Sequence, residues 1–492
     1  MFEKITPEQA GISSKQVTKF IKNLIKRGAC THGLLFMRGD KIFLEGYYKP
    51  FDKDYNHRMY SQTKSFVSIA IGLLIEEGKL SLDDIVADYF PEKIDDKAPK
   101  YIATQTLREM LTMVTGGWPT YWFLVDDPDR THLYFSEQRK THPSGTIWEY
   151  DSAGSQVLSA LVEKVSGKTL LAYLKEKLFD KMGTFKNAEV LKCPNGDSWG
   201  DSAMICTLRD IASFGRLVMN YGVYNGERLM NEEYLKEATS NLVDNRGSGH
   251  YCSYYQGYGY QIWRISGGGF AFIGMGNQLT LMYPDKDLLF ACISDDQGDE
   301  VRVRELIVTS VEDIIVDEIQ DGALCEDKQA EKELEELVNS LELLSLKGPS
   351  EVPFAKELNG VKYVCEENPM GITEFTFNFS GDKGEFVYVN KQGKKVIPFG
   401  INHNVFAKFP ELGYANEYGN VKTTDGFMYD AATSFAWKED KKFMIYTQII
   451  DKYFANMSAT FAFKGDEVHA KFVSAAECFL DEYRGYLNGK KA

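Results

Sequence analysis

The chain has 492 residues, 43% of them hydrophobic and 26% charged, and a formal net charge of −15. That length holds two or three domains with a full core, and the acidic surplus argues against nucleic acid or an anionic membrane as the main partner. No run approaches the ~18–20 apolar residues of a membrane span, MFEKITPEQAGISSKQ at the N-terminus has no apolar leader segment, and eight cysteines without a C-x-x-C pair read as free thiols of the reducing cytoplasm.

In chain order, residues 7–28 place Ile12, Val17, Phe20, Ile21, Leu24 and Ile25 at the spacing of an amphipathic helix. Residues 33–37 and 41–45 flank Arg38-Gly39-Asp40 and predict a β-hairpin. The stretch 60–78 then stands out. From Phe66 to Ile75 only Ser68 and Gly72 interrupt the apolar residues, so this helix is buried nearly all round. Gly78 suits the left-handed position past its end. Ser61 and Lys64 share a face of the first turn, with roughly 5–6 Å between their Cβ atoms. A lysine at the head of a core helix is costly unless it has a task or a partner. A neutral or hydrogen-bonded amine there can take the serine's proton; the plainer alternative is an N-cap serine followed by a surface lysine.

Residues 107–113 form a short helix, 118–145 a long loop carrying Trp118, Tyr121, Trp122 and Phe123, 152–165 and 170–182 amphipathic helices, and 207–219 another helix. Residues 258–263, 270–273, 278–283 and 287–294 read as strands, and 301–319 as a closing helix. Residues 326–346 make a charged amphipathic connector. Beyond Gly360, nine short alternating segments between residues 361 and 473 predict an antiparallel β barrel or sandwich, closed by a short helix over 475–487. The expected organisation is α+β: a domain over residues 1–325 with an antiparallel sheet flanked by helices plus a helical region, a connecting helix over 326–349, and an all-β domain over 350–492.

Three further stretches sharpen the Ser61–Lys64 signal. Pro143-Ser144-Gly145-Thr146-Ile147-Trp148-Glu149-Tyr150-Asp151-Ser152 puts Tyr150 at a turn before a helix, where a phenol near a lysine can relay protons. Thr106-Leu107-Arg108-Glu109-Met110-Leu111-Thr112-Met113-Val114-Thr115-Gly116-Gly117 is similar to a T-L-R-x-L-L-x-H-T-S-G element, and Phe272-Ile273-Gly274-Met275-Gly276-Asn277-Gln278 to an edge strand of x-x-G type. Together these motifs resemble the serine β-lactamase-related hydrolases, nearest to class C β-lactamases, DD-peptidases and their esterase relatives, over roughly residues 5–320.

The resemblance implies a β-lactamase/transpeptidase-like fold with Ser61 as nucleophile, Lys64 as its activating amine and Tyr150 as partner in proton transfer. It implies an oxyanion hole from the backbone N–H groups of Ser61 and Met275. Ser152 stands where Y-x-N has its asparagine, and Phe272-Ile273-Gly274 where the family has K-T-G. Both departures shift the expectation from lactam hydrolysis to esters or amides of a small, partly apolar substrate, with Ser152, Phe272, Gly274, Trp118 and Trp122 at the substrate. β-Lactamase or D-amino-acid peptidase activity, and a non-catalytic ligand-binding protein on a retired hydrolase fold, are the alternatives.

Other motifs carry less. Gly196-Asp197-Ser198-Trp199-Gly200 fits G-x-S-x-G, but a loop signal precedes it where that motif needs a buried strand. The seven histidines are scattered; His57 and His142 read as loop residues, and no metal or cofactor is expected. The expected partner is a small molecule, with neither nucleic acid nor membrane; the sequence leaves the oligomeric state open.

Overall fold

A computed structural model describes residues 2–95, 98–125, 127–246, 252–412, 417, 426–477, 480 and 482–492, with the side chain of Phe123 also outside the description; His250 and Cys478 lie outside the described residues. The chain divides into two compact units, one chiefly Met1–Glu342 and the other chiefly from Leu343 onward.

The first unit is organised on a seven-stranded sheet. Its strand order is Glu3–Lys4, Lys41–Tyr47, Thr31–Arg38, Leu288–Ser294, Gln278–Tyr283, Phe270–Gly274 and Trp263–Arg264. Every pair is antiparallel except the edge strand Glu3–Lys4, which runs parallel to its neighbour. Alternation along the strands divides the core in two. Leu35, Met37, Phe270, Phe272, Met282, Leu289 and Ala291 face the helices Thr63–Glu76 and Leu208–Met219, whereas Leu34, Phe36, Ala271, Ile273, Leu281 and Phe290 face Ser14–Lys26 and Glu300–Val311. The helix Thr63–Glu76 is buried at every position from Thr63 to Leu74, and Gly78 follows it with φ +69°.

Helix Lys328–Asn339 belongs to this unit. It packs on Ser14–Lys26 and on the hairpin strand Lys41–Tyr47, Leu334 and Leu341 are buried, and the Lys49 N–H donates to the Leu341 carbonyl at 3.1 Å.

Three expectations change. Residues 258–262 are not a strand. Gly257 and Gly259 run so close to Asn241 and Ala238 that a Cβ would come within 2.1 and 2.0 Å, Gln261 has φ +56°, and only isolated bridges form before Trp263–Arg264. Within the expected loop 118–145, a helix forms over Arg130–Ser136, capped by the Asp129 side chain on the His132 N–H. The expected helix over 475–487 is absent from the described residues: Glu467–Ala476 and Gly485–Lys491 are paired strands.

The second unit is an antiparallel meander that closes on itself. Nine strands form the ring, sealed where Gly393–Ile401 pairs in parallel with Asp430–Glu439 through Gly400 and Ser434; Val405–Lys408 adds to the rim of Asp430–Glu439. The seal spans two residue pairs, Gly400 with Ser434 and Ile401 with Phe435. Aromatic side chains occupy its core, with Phe377 against Phe443 and Phe461 at 4.9 and 5.0 Å and Phe435 against Phe443 at 4.6 Å. Among the described residues no helix is long and apolar enough to cross a membrane.

Candidate active site

The site begins with a short strand pair that fixes the approach to the buried helix. His57–Arg58 pairs with Met204–Cys206, and the Met59 N–H donates to the Met204 carbonyl at 2.8 Å. The Arg58 guanidinium lies between the rings of Tyr60 (4.3 Å) and Trp199 (4.4 Å) and donates to the Ser202 carbonyl at 3.0 Å. Tyr60 itself has φ +46°, a left-handed conformation that costs a non-glycine residue about 1–2 kcal/mol. The Thr63 hydroxyl donates to the Tyr60 carbonyl at 2.6 Å and accepts from the Met204 N–H at 3.0 Å, which locks the turn Tyr60–Gln62 in place.

Ser61 emerges half-buried from this turn, and Lys64 follows fully enclosed on the first turn of the helix. Lys64 Nζ donates to Ser61 Oγ at 2.9 Å and to the Asp201 carbonyl at 2.7 Å. Tyr150 approaches with its ring, whose centroid is 5.0 Å from Nζ, and stacks on Trp263 at 5.4 Å. Its neighbour Asp151 caps the helix Ser152–Ser166 by accepting from the Gly154 N–H at 2.8 Å, and takes a second bond from the Thr115 hydroxyl at 2.9 Å. Burial pushes the Asp151 carboxyl up, and those two hydrogen bonds partly oppose it.

The strand Phe270–Gly274 ends against the same turn, where a Cβ on Gly274 would come within 2.3 Å of the Met59 carbonyl oxygen. Met275 therefore follows directly beside the Ser61 turn. The Gln278 amide donates to the carbonyls of Met275 (2.9 Å) and Ser294 (2.7 Å). Asn277, with φ +67°, accepts from Arg304 Nε at 3.2 Å and donates to the Asp296 carboxylate at 3.3 Å. Burial pushes the Asp296 carboxyl up to about 7, against a 2.7 Å bond from the Cys30 N–H.

Ser61, Lys64, Tyr150, Gly274 and Met275 thus lie around one turn. Ser152 is half-buried on the first turn of the helix after Tyr150, and Trp118 is 47% exposed. Two expected substrate contacts need correction. Phe272 is fully buried and packs on Phe214 at 5.3 Å, because the strand's alternation points it into the helix-side core. Trp122 is nearly enclosed by Arg130, 4.3 Å from its ring, and by Trp199 at 5.5 Å.

His57 Nε2 lies 2.9 Å from His32 Nδ1, and burial pushes His57 down to about 3, so it is neutral and turned to a partner other than Ser61. Ser198 sits in the loop ahead of Met204–Cys206, accepting at its carbonyl from Gln156 at 2.9 Å; no helix follows it directly. Sequence reasoning missed Asp201, Arg130 and Arg58. Asp129 as an N-cap before Arg-Thr-His-Leu-Tyr-Phe was a usable signal for the helix that carries Arg130.

A family model described as Beta-lactamase matches residues 17–310. The 6-aminohexanoate-dimer hydrolase of Paenarthrobacter ureafaciens is 25% identical over 224 residues, 42% of this chain and 56% of that protein. The lovastatin esterase of Penicillium rubens is 27% identical over 175 residues, 30% of this chain and 42% of that protein. The chain thus spans about half the length of the curated relatives it matches. A solved structure from Bacillus anthracis, provisionally described as a 6-aminohexanoate-dimer hydrolase, superposes with a TM-score of 0.52 at 18% identity, covering 64% of this chain and 86% of its own. With the match spanning more than half its length, the chain belongs to the Beta-lactamase family.

Proposed function

We propose that the protein is a serine hydrolase that forms an acyl-enzyme at Ser61 and cleaves ester or amide bonds of a small, partly apolar substrate. The observation that carries this reading is the 2.9 Å contact between a fully enclosed Lys64 amine and the Ser61 hydroxyl. With Lys64 neutral, that hydrogen bond reverses: the Ser61 hydroxyl donates to the amine lone pair. As Oγ bonds to the substrate carbonyl carbon, its proton passes to Nζ. The carbonyl oxygen takes the negative charge, facing the backbone N–H groups of Ser61 and Met275. Collapse breaks the bond to the leaving alcohol or amine, which receives the proton through Lys64 and Tyr150. Water then attacks the acyl-serine and gives its own proton back along the same route, releasing the acid and restoring Ser61.

The substrate class is supported by the relatives' names, a dimer hydrolase and an esterase. No disulfide joins the described cysteines, which supports a cytoplasmic setting for a small-molecule reaction. Intact-mass analysis after a fluorophosphonate tests the assignment. The wild type should gain one adduct and Ser61→Ala none; equal labelling of both would remove Ser61 as the nucleophile.

A further inference from the structure

Behind Lys64 lies an ion pair that plays no part in the reaction outlined above. Asp201 is the one carboxylate within 4.0 Å of the Lys64 amine among the described residues, yet its charge is directed elsewhere. Its Oδ1 accepts from Arg130 Nη1 at 2.7 Å, whereas Oδ2 stands 4.0 Å from Lys64 Nζ. Both side chains of the pair are 5–6% exposed. Arg130 is held in turn. Its guanidinium lies 4.3 Å from the Trp122 ring and 3.5 Å from Gln156 Oε1, and that oxygen also accepts from the Gly200 N–H at 2.9 Å, next to Asp201.

We infer that Arg130 and Asp201 form a charge-balancing positioning pair for Lys64: Arg130 takes up the Asp201 carboxylate, leaving the Lys64 amine free to exchange a proton with Ser61. The inference rests on the proposed roles of Ser61 and Lys64. The geometry makes the pairing consequential. The Asp201 backbone already fixes Lys64 through its carbonyl, so the carboxylate stays beside the amine, and without Arg130 its negative charge would face the amine unbalanced. An opposite charge at about 4–6 Å shifts a protonation equilibrium by about one to three pH units. The groups facing the Lys64 amine are Ser61 from the turn before the helix, Tyr150 from the turn before Ser152–Ser166, and Asp201 from the loop ahead of Met204–Cys206. Arg130 stands behind Asp201 and supplies the balancing charge.

The test is the rate of fluorophosphonate labelling of Ser61 from about pH 5.5 to 10 in the full chain. Arg130→Met should move the acidic limb upward by about one to three pH units, so labelling at the wild-type midpoint falls about tenfold or more and recovers at alkaline pH. Asp201→Asn keeps the carbonyl contact but leaves the Arg130 cation facing Lys64; its limb should move to lower pH. The double variant Arg130→Met/Asp201→Asn should return the limb to the wild-type position. A uniform drop at every pH in Arg130→Met would make the pair a structural prop and overturn the inference, as would a double variant that keeps the single variant's shift. If Arg130→Met does not fold, an unmoved limb in Asp201→Asn overturns it alone. Wild type that is not labelled at Ser61 overturns the proposed function itself, a result separate from these.

Discussion

Gly274 and Met59 approach one another so closely that no side chain fits between them: a Cβ at 274 would lie 2.3 Å from the Met59 carbonyl oxygen and 3.0 Å from Gln278 Cβ. The contact places the end of one sheet strand against the turn that presents Ser61. Gly274→Ala should push strand and turn apart by roughly 1 Å, enough to cost about a hundredfold in acylation rate. The matching cost in stability should be only about 1–3 kcal/mol. Labelling kinetics beside a denaturant melt would separate the two; an Ala variant with wild-type labelling would show that this approach does not set the site.

Phe272→Lys should not create a carboxylate-binding site. The ring is fully buried against Phe214, so the new ammonium would enter an aromatic core without a counter-charge. A loss of about 3–5 kcal/mol is expected. Chemical denaturation checks the stability, and turnover of nitrocefin against a short aryl ester checks the specificity. A stable variant with a shifted ratio would mean that residue 272 can reach substrate.

Asp296 makes stability depend on pH. Its carboxyl is held up at about 7 by burial, above the ordinary aspartate value, so between about pH 4 and 7 the folded chain binds a proton that the unfolded chain has lost. Unfolding free energy should therefore fall as pH rises through that window, by an amount on the order of 4 kcal/mol for this group. Asp296→Asn should flatten the slope while keeping an acceptor for the Cys30 N–H. Urea titrations at half-unit steps from pH 4.5 to 7.5 measure both, and equal slopes in the two proteins would contradict the prediction.

The first unit should stand alone when the chain ends after Glu342 but not after Cys325. The shorter form lacks Leu334 and Leu341, both buried against this unit, and the Leu341 carbonyl bonded by Lys49. Losing two such side chains costs about 3–6 kcal/mol. Cooperative melting and Ser61 labelling of the two truncated chains provide the comparison; a 325-residue form as stable as the 342-residue form would place the helix outside the unit.

The parts of this fold that were legible in sequence depend on short spacing. Ser61 and Lys64 are three residues apart on a helix whose apolar content announces its burial, and the strands of the second unit alternate clearly. Arg130 and Asp201 were illegible because they meet across 71 residues. Pro128, Asp127 and the nearby aromatics also make the Arg130 helix look like loop. Phe272 was misread because the motif gives its position along the strand, whereas its direction follows from which face of the sheet the helices Thr63–Glu76 and Leu208–Met219 cover. The final strand was masked by Gly485 and Gly489, weak strand formers that gain their place from pairing with Glu467–Ala476.

The left-handed Tyr60 turn has a consequence for the newly made chain. The groups that hold it, Ser202 and Met204, lie about 140 residues further on, and Gly274 follows later still. Until those segments exist and dock, nothing opposes the turn's conformational cost, and Lys64 lacks the Asp201 carbonyl that anchors it. A nascent chain that has emerged only as far as Tyr150 already contains all three side chains of the proposed chemistry, yet its serine should be as inert as any other. Reactivity would then arrive in a single step with the completed sheet, sparing the unfinished protein from acylation and making a covalent probe a direct readout of maturation.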